Sequence, residues 1–309
     1  MKTSRILAIL DPSLDKNRAA QRALAMARDH GASLTLAVFE DHQTIVESGL
    51  MGDALTRQAI DIWEQETAQW LNNLADSLGE DGIEIETRVK TGRPLADKVL
   101  ETVAEGDYDL VVKDCDAGSR LSRAFFTPLD WHLLRRCPVP LMLVKSTSKD
   151  KPGRIAAAVD PFHERGKPAE LDERILTTAQ SLAKHYEARL DVIHACQTQP
   201  LGANSPIEGP ALQFEKVREE IATHHRNALR QLTDRFDVDP SHAHFIDATA
   251  RRAIPDFTRE QGVDLLVMGT VTRKGLTRLI MGSTAEAILG NLECDVLAIK
   301  PEGFAAATK

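Results

Sequence analysis

Short runs of apolar residues alternate along the chain with longer stretches in which apolar positions recur every three or four residues. In the first half the runs are 6–10, 34–39, 83–89, 110–112 and 141–144, separated by 18–30, 54–78, 94–105 and 129–136. Within 54–78, Ile60, Trp63, Thr67, Leu71, Leu74 and Leu78 form one stripe at helical spacing. Phe214, Val217, Ile221, Ala228 and Leu232 do the same in the second half. Strands that are apolar throughout and separated by helices predict parallel sheets covered on both faces. Each half is therefore expected to be a doubly wound α/β domain with a roughly five-stranded parallel sheet. Ligands of such sheets sit at the carboxyl ends of the strands, where the strand order reverses.

The pattern also repeats. Asp109-Leu110-Val111-Val112-Lys113 matches Asp264-Leu265-Leu266-Val267-Met268, from 109 to 264 an offset of 155. The same offset carries Leu121 onto Leu276, Leu134 onto Leu289 and Lys145 onto Lys300. Near the start of each half, Arg5 to Pro12 parallels Arg154 to Pro161. A period this long indicates a duplicated domain, not a solenoid. The polar segment 146–153 ends in Pro152-Gly153 and is the expected linker, giving domains at 1–147 and 154–302.

Composition narrows the function. The 309 residues carry a net charge of −8, which argues against nucleic acid or an anionic membrane as a partner. No apolar run approaches the roughly 20 residues needed to span a bilayer, and nothing resembles a targeting segment. Cys115, Cys137, Cys196 and Cys294 lack CxxC spacing and read as reduced thiols of a cytoplasmic protein. His242 and His244 are expected to share a face of one strand, but no further ligand stands beside them in sequence. His224 and His225, at the edge of the helical stripe, are expected to pack or meet solvent. The segment 197–209, rich in Pro, Gly and Asn, reads as a surface loop, with a lid as the alternative.

The chemistry concentrates in the second half. After 265–268 come Gly269, Thr272, Arg273, Lys274, Gly275 and Arg278, and then Gly282-Ser283-Thr284-Ala285-Glu286 opens a helix. Glycines let backbone N–H groups approach a phosphate, and a helix start adds free donors and partial positive charge. The same residues also read as a capping box, in which Ser283 and Glu286 satisfy helix-end donors without any ligand.

These residues resemble the universal stress protein family, in its tandem two-domain bacterial type. The family pattern is Gly-x2-Gly-x9-Gly-(Ser/Thr) after a strand ending in Met-Gly, and Met268, Gly269, Gly282 and Ser283 match it. Val159-Asp160 matches the family's first strand end, whose aspartate typically contacts adenine. The resemblance covers nearly all of both copies. It implies an adenine nucleotide alpha hydrolase-like fold, a cytoplasmic stress-response role and an adenine nucleotide such as ATP as cofactor. The metal requirement and the protein partners stay open. The implied nucleotide-binding residues are Asp160, Met268, Gly269, Thr272, Gly282, Ser283 and Thr284. The family's dimerisation through last strands implies an intrachain pseudo-dimer, with a further homodimer as an open possibility.

Two departures matter. Thr272 stands at the family's second glycine, where a β-branched side chain resists a left-handed backbone and crowds the phosphates. The expectation is adenine-side contact with weak binding of the triphosphate. In the first half Asp114, Ala117, Thr127 and Pro128 replace Gly269, Thr272, Gly282 and Ser283, so that copy reads as structural although Asp11 keeps the adenine position. A regulator without efficient catalysis is the favoured reading. The alternatives are a scaffold or small-molecule carrier that no longer takes ATP, and a slow ATPase. No paired general acid and base supports catalysis.

Overall fold

A computed structural model describes residues 3–14, 16–42, 53–79, 82–115, 126–145, 147–162, 170–198, 211–270 and 283–301. The chain divides after Asp150 into two compact units.

Unit 1 runs β1 (Arg5–Leu10), α1 (Arg18–His30), β2 (Ser33–Glu40), α2 (Asp53–Leu78), β3 (Ile85–Thr91), α3 (Leu95–Glu105), β4 (Leu110–Asp114), α4 (Pro128–Arg136) and β5 (Leu141–Val144). Its strands are all parallel, in the order β3-β2-β1-β4-β5. Leu7, Leu34, Leu36, Leu110, Val111, Leu141 and Leu143 have no exposed surface, as expected for strands covered on both faces. The first helix stops because Gly31 adopts φ 62°, where its N–H meets the Ala27 and Arg28 carbonyls.

Unit 2 runs β6 (Arg154–Ala158), α5 (Glu170–Tyr186), β7 (Arg189–Ala195), α6 (Ala211–Asp234), a 3-10 turn (Pro240–His242), β8 (Ala243–Ile246), α7 (Ala250–Glu260), β9 (Leu265–Gly269), α8 (Ser283–Leu289) and β10 (Asp295–Ile299). Its order, β10-β9-β6-β7-β8, is again fully parallel. The chain winds from β6 to one side and returns to place β9 on the other. The order therefore reverses between β6 and β9.

The strongest element of the repeat has a structural cause. Asp109 Oδ2 accepts the Ser4 and Arg5 amides at 2.7 and 3.1 Å. Asp264 Oδ2 accepts the Gly153 and Arg154 amides at 2.8 and 3.0 Å. In each unit one carboxylate ties the start of the first strand to the fourth, so the Asp-Leu pattern recurs with it.

One sequence expectation is corrected. His242 and His244 do not share a strand face. Asp239 accepts the Ser241 amide at 2.8 Å and Pro240 sets the first turn, so His242 ends a 3-10 turn and only His244 lies in β8. A carboxylate does stand beside His244, supplied from β7: Nε2 meets Asp191 Oδ1 at 2.8 Å. Burial pushes the Asp191 carboxyl up, but Arg154, His244 and Arg189 outweigh it and hold it below its ordinary value.

Among the described residues no helix is long and apolar enough to cross a membrane. No group of three or more His, Cys, Asp or Glu among them could hold a metal ion. None of the four cysteines is in a disulfide.

Candidate functional site

In unit 2, β6 and β9 pair in parallel with Ala158 opposite Met268. Asp160, two residues past Ala158, thus emerges beside Gly269 and Thr270 at the reversal point. Asp160 is half-buried, and its amide donates to Asp172 Oδ1 at 3.1 Å, from the first turn of α5. Met268 is 5% exposed and forms part of the floor.

Gly269 packs closely against α5. A Cβ there would stand 2.7 Å from Leu171 Cδ2 and 3.2 Å from Ile175 Cδ1, both on α5. Ser283 opens α8 and is exposed, with Thr284 half-buried and Glu286 in the first turn. Thr272 and Gly282 lie outside the described residues, as do Arg273, Lys274, Gly275, Arg278 and most of 197–209.

Sequence reasoning missed a cation here. Arg251 Nη2 donates to Ser283 Oγ at 2.6 Å. Arg251 sits in the first turn of α7, where no acidic residue offsets it, although a helix start disfavours positive charge. The distance of 32 residues between the two hides the contact from any local motif.

In unit 1 the corresponding residues are engaged with one another. Asp11 is exposed and spent on its own turn, its Oδ1 accepting from Ser13 N and Oγ at 2.8 and 2.6 Å. Asp114, at the Gly269 position, accepts the Ala19 amide at 3.0 Å. Lys113, at the Met268 position, forms an ion pair with Asp130, its Nζ 2.8 Å from Oδ1, and donates to the Asp114 carbonyl at 2.8 Å. Asp130 is fully buried and forms a reciprocal cap with Thr127, whose N and Oγ1 donate to its Oδ2 at 2.7 and 2.9 Å. Pro128 takes the first helical position, where its missing N–H costs nothing. Lysine and aspartate thus occupy the places that methionine and alanine (Met268, Ala285) hold in unit 2.

Two α/β units in tandem, each winding outward from its first strand, define a duplicated doubly wound protein whose strand order reverses beside that strand. The model of the universal stress protein family matches residues 2–145 and again 153–300. The chain belongs to the universal stress protein family, and its role is in the stress response. It is 29% identical to universal stress protein E of Photorhabdus laumondii over 305 residues, 97% of this chain and 95% of that one. Against universal stress protein E of Salmonella typhi the identity is 30% over 304 residues, 97% and 95% of the two chains. A functionally unknown protein of Pseudomonas aeruginosa superposes with a TM-score of 0.74 at 28% identity, over 97% of this chain and 93% of that one.

Proposed function

We propose that unit 2 binds an adenine nucleotide and that the chain is a cytoplasmic stress-response regulator without efficient catalysis. The observation that carries this reading is the meeting of Asp160, Met268 and Gly269 at adjacent strand ends, and Ser283, which opens the next helix, is bonded to Arg251. A half-buried carboxylate suits an amino group on adenine, and the methionine suits its ring face. Ser283, Thr284 and the Arg251 guanidinium suit phosphate oxygens, joined in this reading by Thr272 and Gly282. Thr272 makes the triphosphate side the weaker half. Unit 1 serves as a scaffold, with the Lys113–Asp130 ion pair standing where unit 2 has Met268 and Ala285.

Calorimetry with ATP and with adenosine tests the reading. Asp160→Ala should remove most of the affinity for both, and Asp11→Ala should change little. Thr272→Gly should tighten ATP by roughly tenfold, the factor that about 1.4 kcal/mol produces, and leave adenosine unchanged. Equal losses from Asp160→Ala and Asp11→Ala would overturn the division of labour between the units.

A further inference from the structure

The segment 146–153, polar and ending in Pro-Gly, has the composition of a free tether. Its contacts are those of a clamped strap. Helix α1 opens with Arg18 and has no acidic residue in its first turn, although a helix start disfavours positive charge. The first helix of unit 2, α5, opens the opposite way, with Glu170, Asp172 and Glu173. The exception in unit 1 has its partner outside the helix: Arg18 Nη1 donates to Asp150 Oδ1 at 3.0 Å. Four residues on, and so on the same face of α1, stands Arg22. Its Nη2 donates to Ser148 Oγ at 2.7 Å and to the Lys149 carbonyl at 2.5 Å. Arg22 is 5% exposed, and a guanidinium so deeply placed needs acceptors fixed around it. The Ser148 amide donates to the Lys145 carbonyl at 3.0 Å, so the chain turns at once on leaving β5.

We infer that Ser148, Lys149 and Asp150 form a strap clamped to unit 1 by Arg18 and Arg22, and that Lys151 and Pro152 are the whole pivot between the units. The division of the chain after Asp150 agrees with this. On the far side, Asp264 Oδ2 holds the Gly153 and Arg154 amides, and the Arg189 amide donates to the Gly153 carbonyl at 3.0 Å. Between these anchors Lys151 Nζ lies 3.8 Å from Glu187 Oε2, both side chains exposed, a pair that restrains the backbone little. Pro152 has a fixed φ and no N–H, and it biases Lys151 before it toward extended backbone. The pivot is therefore short and stiff. None of these contacts involves a residue of the proposed nucleotide site, so the strap stands apart from that reading. It gives unit 1 a task of its own, in which the first helix fixes where the chain leaves for unit 2.

Limited proteolysis of the full chain with trypsin tests the strap, with cut positions located by mass spectrometry. Cleavage needs several residues in extended form, so a cut after Lys149 reports the population in which the strap has left α1. Lys151 precedes proline and is not a trypsin site, which leaves Lys149 as the reporter. Cuts after Arg135 and Arg136, at the end of α4, report unfolding of unit 1 as a whole. Arg18→Gln with Arg22→Gln leaves the cleaved sequence unchanged. It should be cut after Lys149 at least about tenfold faster than the wild type, as for the loss of one charge-assisted bond, with the α4 cuts unchanged. If the double variant does not fold, Arg18→Gln alone decides. It should be cut about twofold to fivefold faster after Lys149, and the difference from the wild type should vanish near about 1 M salt. A wild type cut after Lys149 as fast as a free peptide of the same sequence overturns the inference. So do variants with no gain at Lys149, or with an equal gain at Lys149 and in α4.

Discussion

Removing Lys113 should be far more damaging than removing Lys113 and Asp130 together. Lys113→Met leaves the Asp130 carboxylate, which has no exposed surface, without the ammonium that now stands 2.8 Å away. Breaking one side of a buried ion pair costs about 3–5 kcal/mol, because the remaining charge stays out of water. Replacing both sides with apolar residues is commonly neutral or stabilising by about 1–4 kcal/mol. Lys113→Met with Asp130→Ala recreates the Met268 and Ala285 arrangement of unit 2, but it also loses the cap with Thr127, worth about 1 kcal/mol. The double variant should therefore lie close to the wild type. Tryptophan fluorescence isolates the effect, since Trp63, Trp70 and Trp131 all belong to unit 1. For a unit of this size each kcal/mol moves the midpoint by roughly 2–4 °C, so Lys113→Met should lower it by roughly 6–20 °C. A single-variant loss under about 2 °C would show that the buried Asp130 carboxylate does not depend on Lys113. A double-variant loss as large as the two single losses combined would show that the two side chains act independently.

Three further outcomes follow from the same contacts. Asp109→Ala should destabilise unit 1 by about 2–4 kcal/mol, because two amides at the sheet margin lose a charged acceptor; Asp109→Asn should recover part of the loss in the same fluorescence melt, and a cost under about 1 kcal/mol would sink the anchor argument. The folded-state lowering of the Asp191 carboxyl implies stability that is present above its ordinary value of 3.8 and lost as pH falls through the lower folded value. Asp191→Asn should therefore be less stable than the wild type at neutral pH and lose less between pH 4 and pH 2 in calorimetry; equal acid losses would refute the sign. Arg251→Ala should weaken ATP by at least tenfold, as for a charge-assisted bond of about 1.5–3 kcal/mol, and leave adenosine unchanged; an equal loss for both ligands in calorimetry would place Arg251 outside the phosphate site.

The fold was legible because it rests on local periodicity. The run 6–10 and the stretch 18–30 coincide almost residue for residue with β1 and α1, since apolar alternation and helical spacing survive in a single sequence. The pairing of β6 with β9 was legible only through the general rule for doubly wound sheets. The site was legible in part. Asp160 and Met268 could be named because each ends an apolar run, and Ser283 because it opens a helix after a glycine. Arg251 could not be found, because its partner lies 32 residues on and an arginine in a helix reads as ordinary solvent-facing charge. The Lys113–Asp130 ion pair was hidden, because nothing in sequence brings Lys113 to a residue 17 positions on.

The two units show how a duplicated fold separates what holds it from what it binds. The anchor carboxylates, Asp109 and Asp264, act at the amino ends of the strands and make matching pairs of bonds in both copies. Their geometry depends only on the sheet, so neither copy can exchange them without cost. The opposite ends of the same strands carry no such obligation. There, the step from Met268 and Ala285 to Lys113 and Asp130 converts an apolar floor into an internally neutralised ion pair. A lysine alone at position 113 would be a buried charge, and an aspartate alone at 130 would be another. The two charges are tolerable only together, because each neutralises the other. That is why stability, measured in the Lys113 and Asp130 variants, reports on a position where unit 2 is proposed to report on ligand.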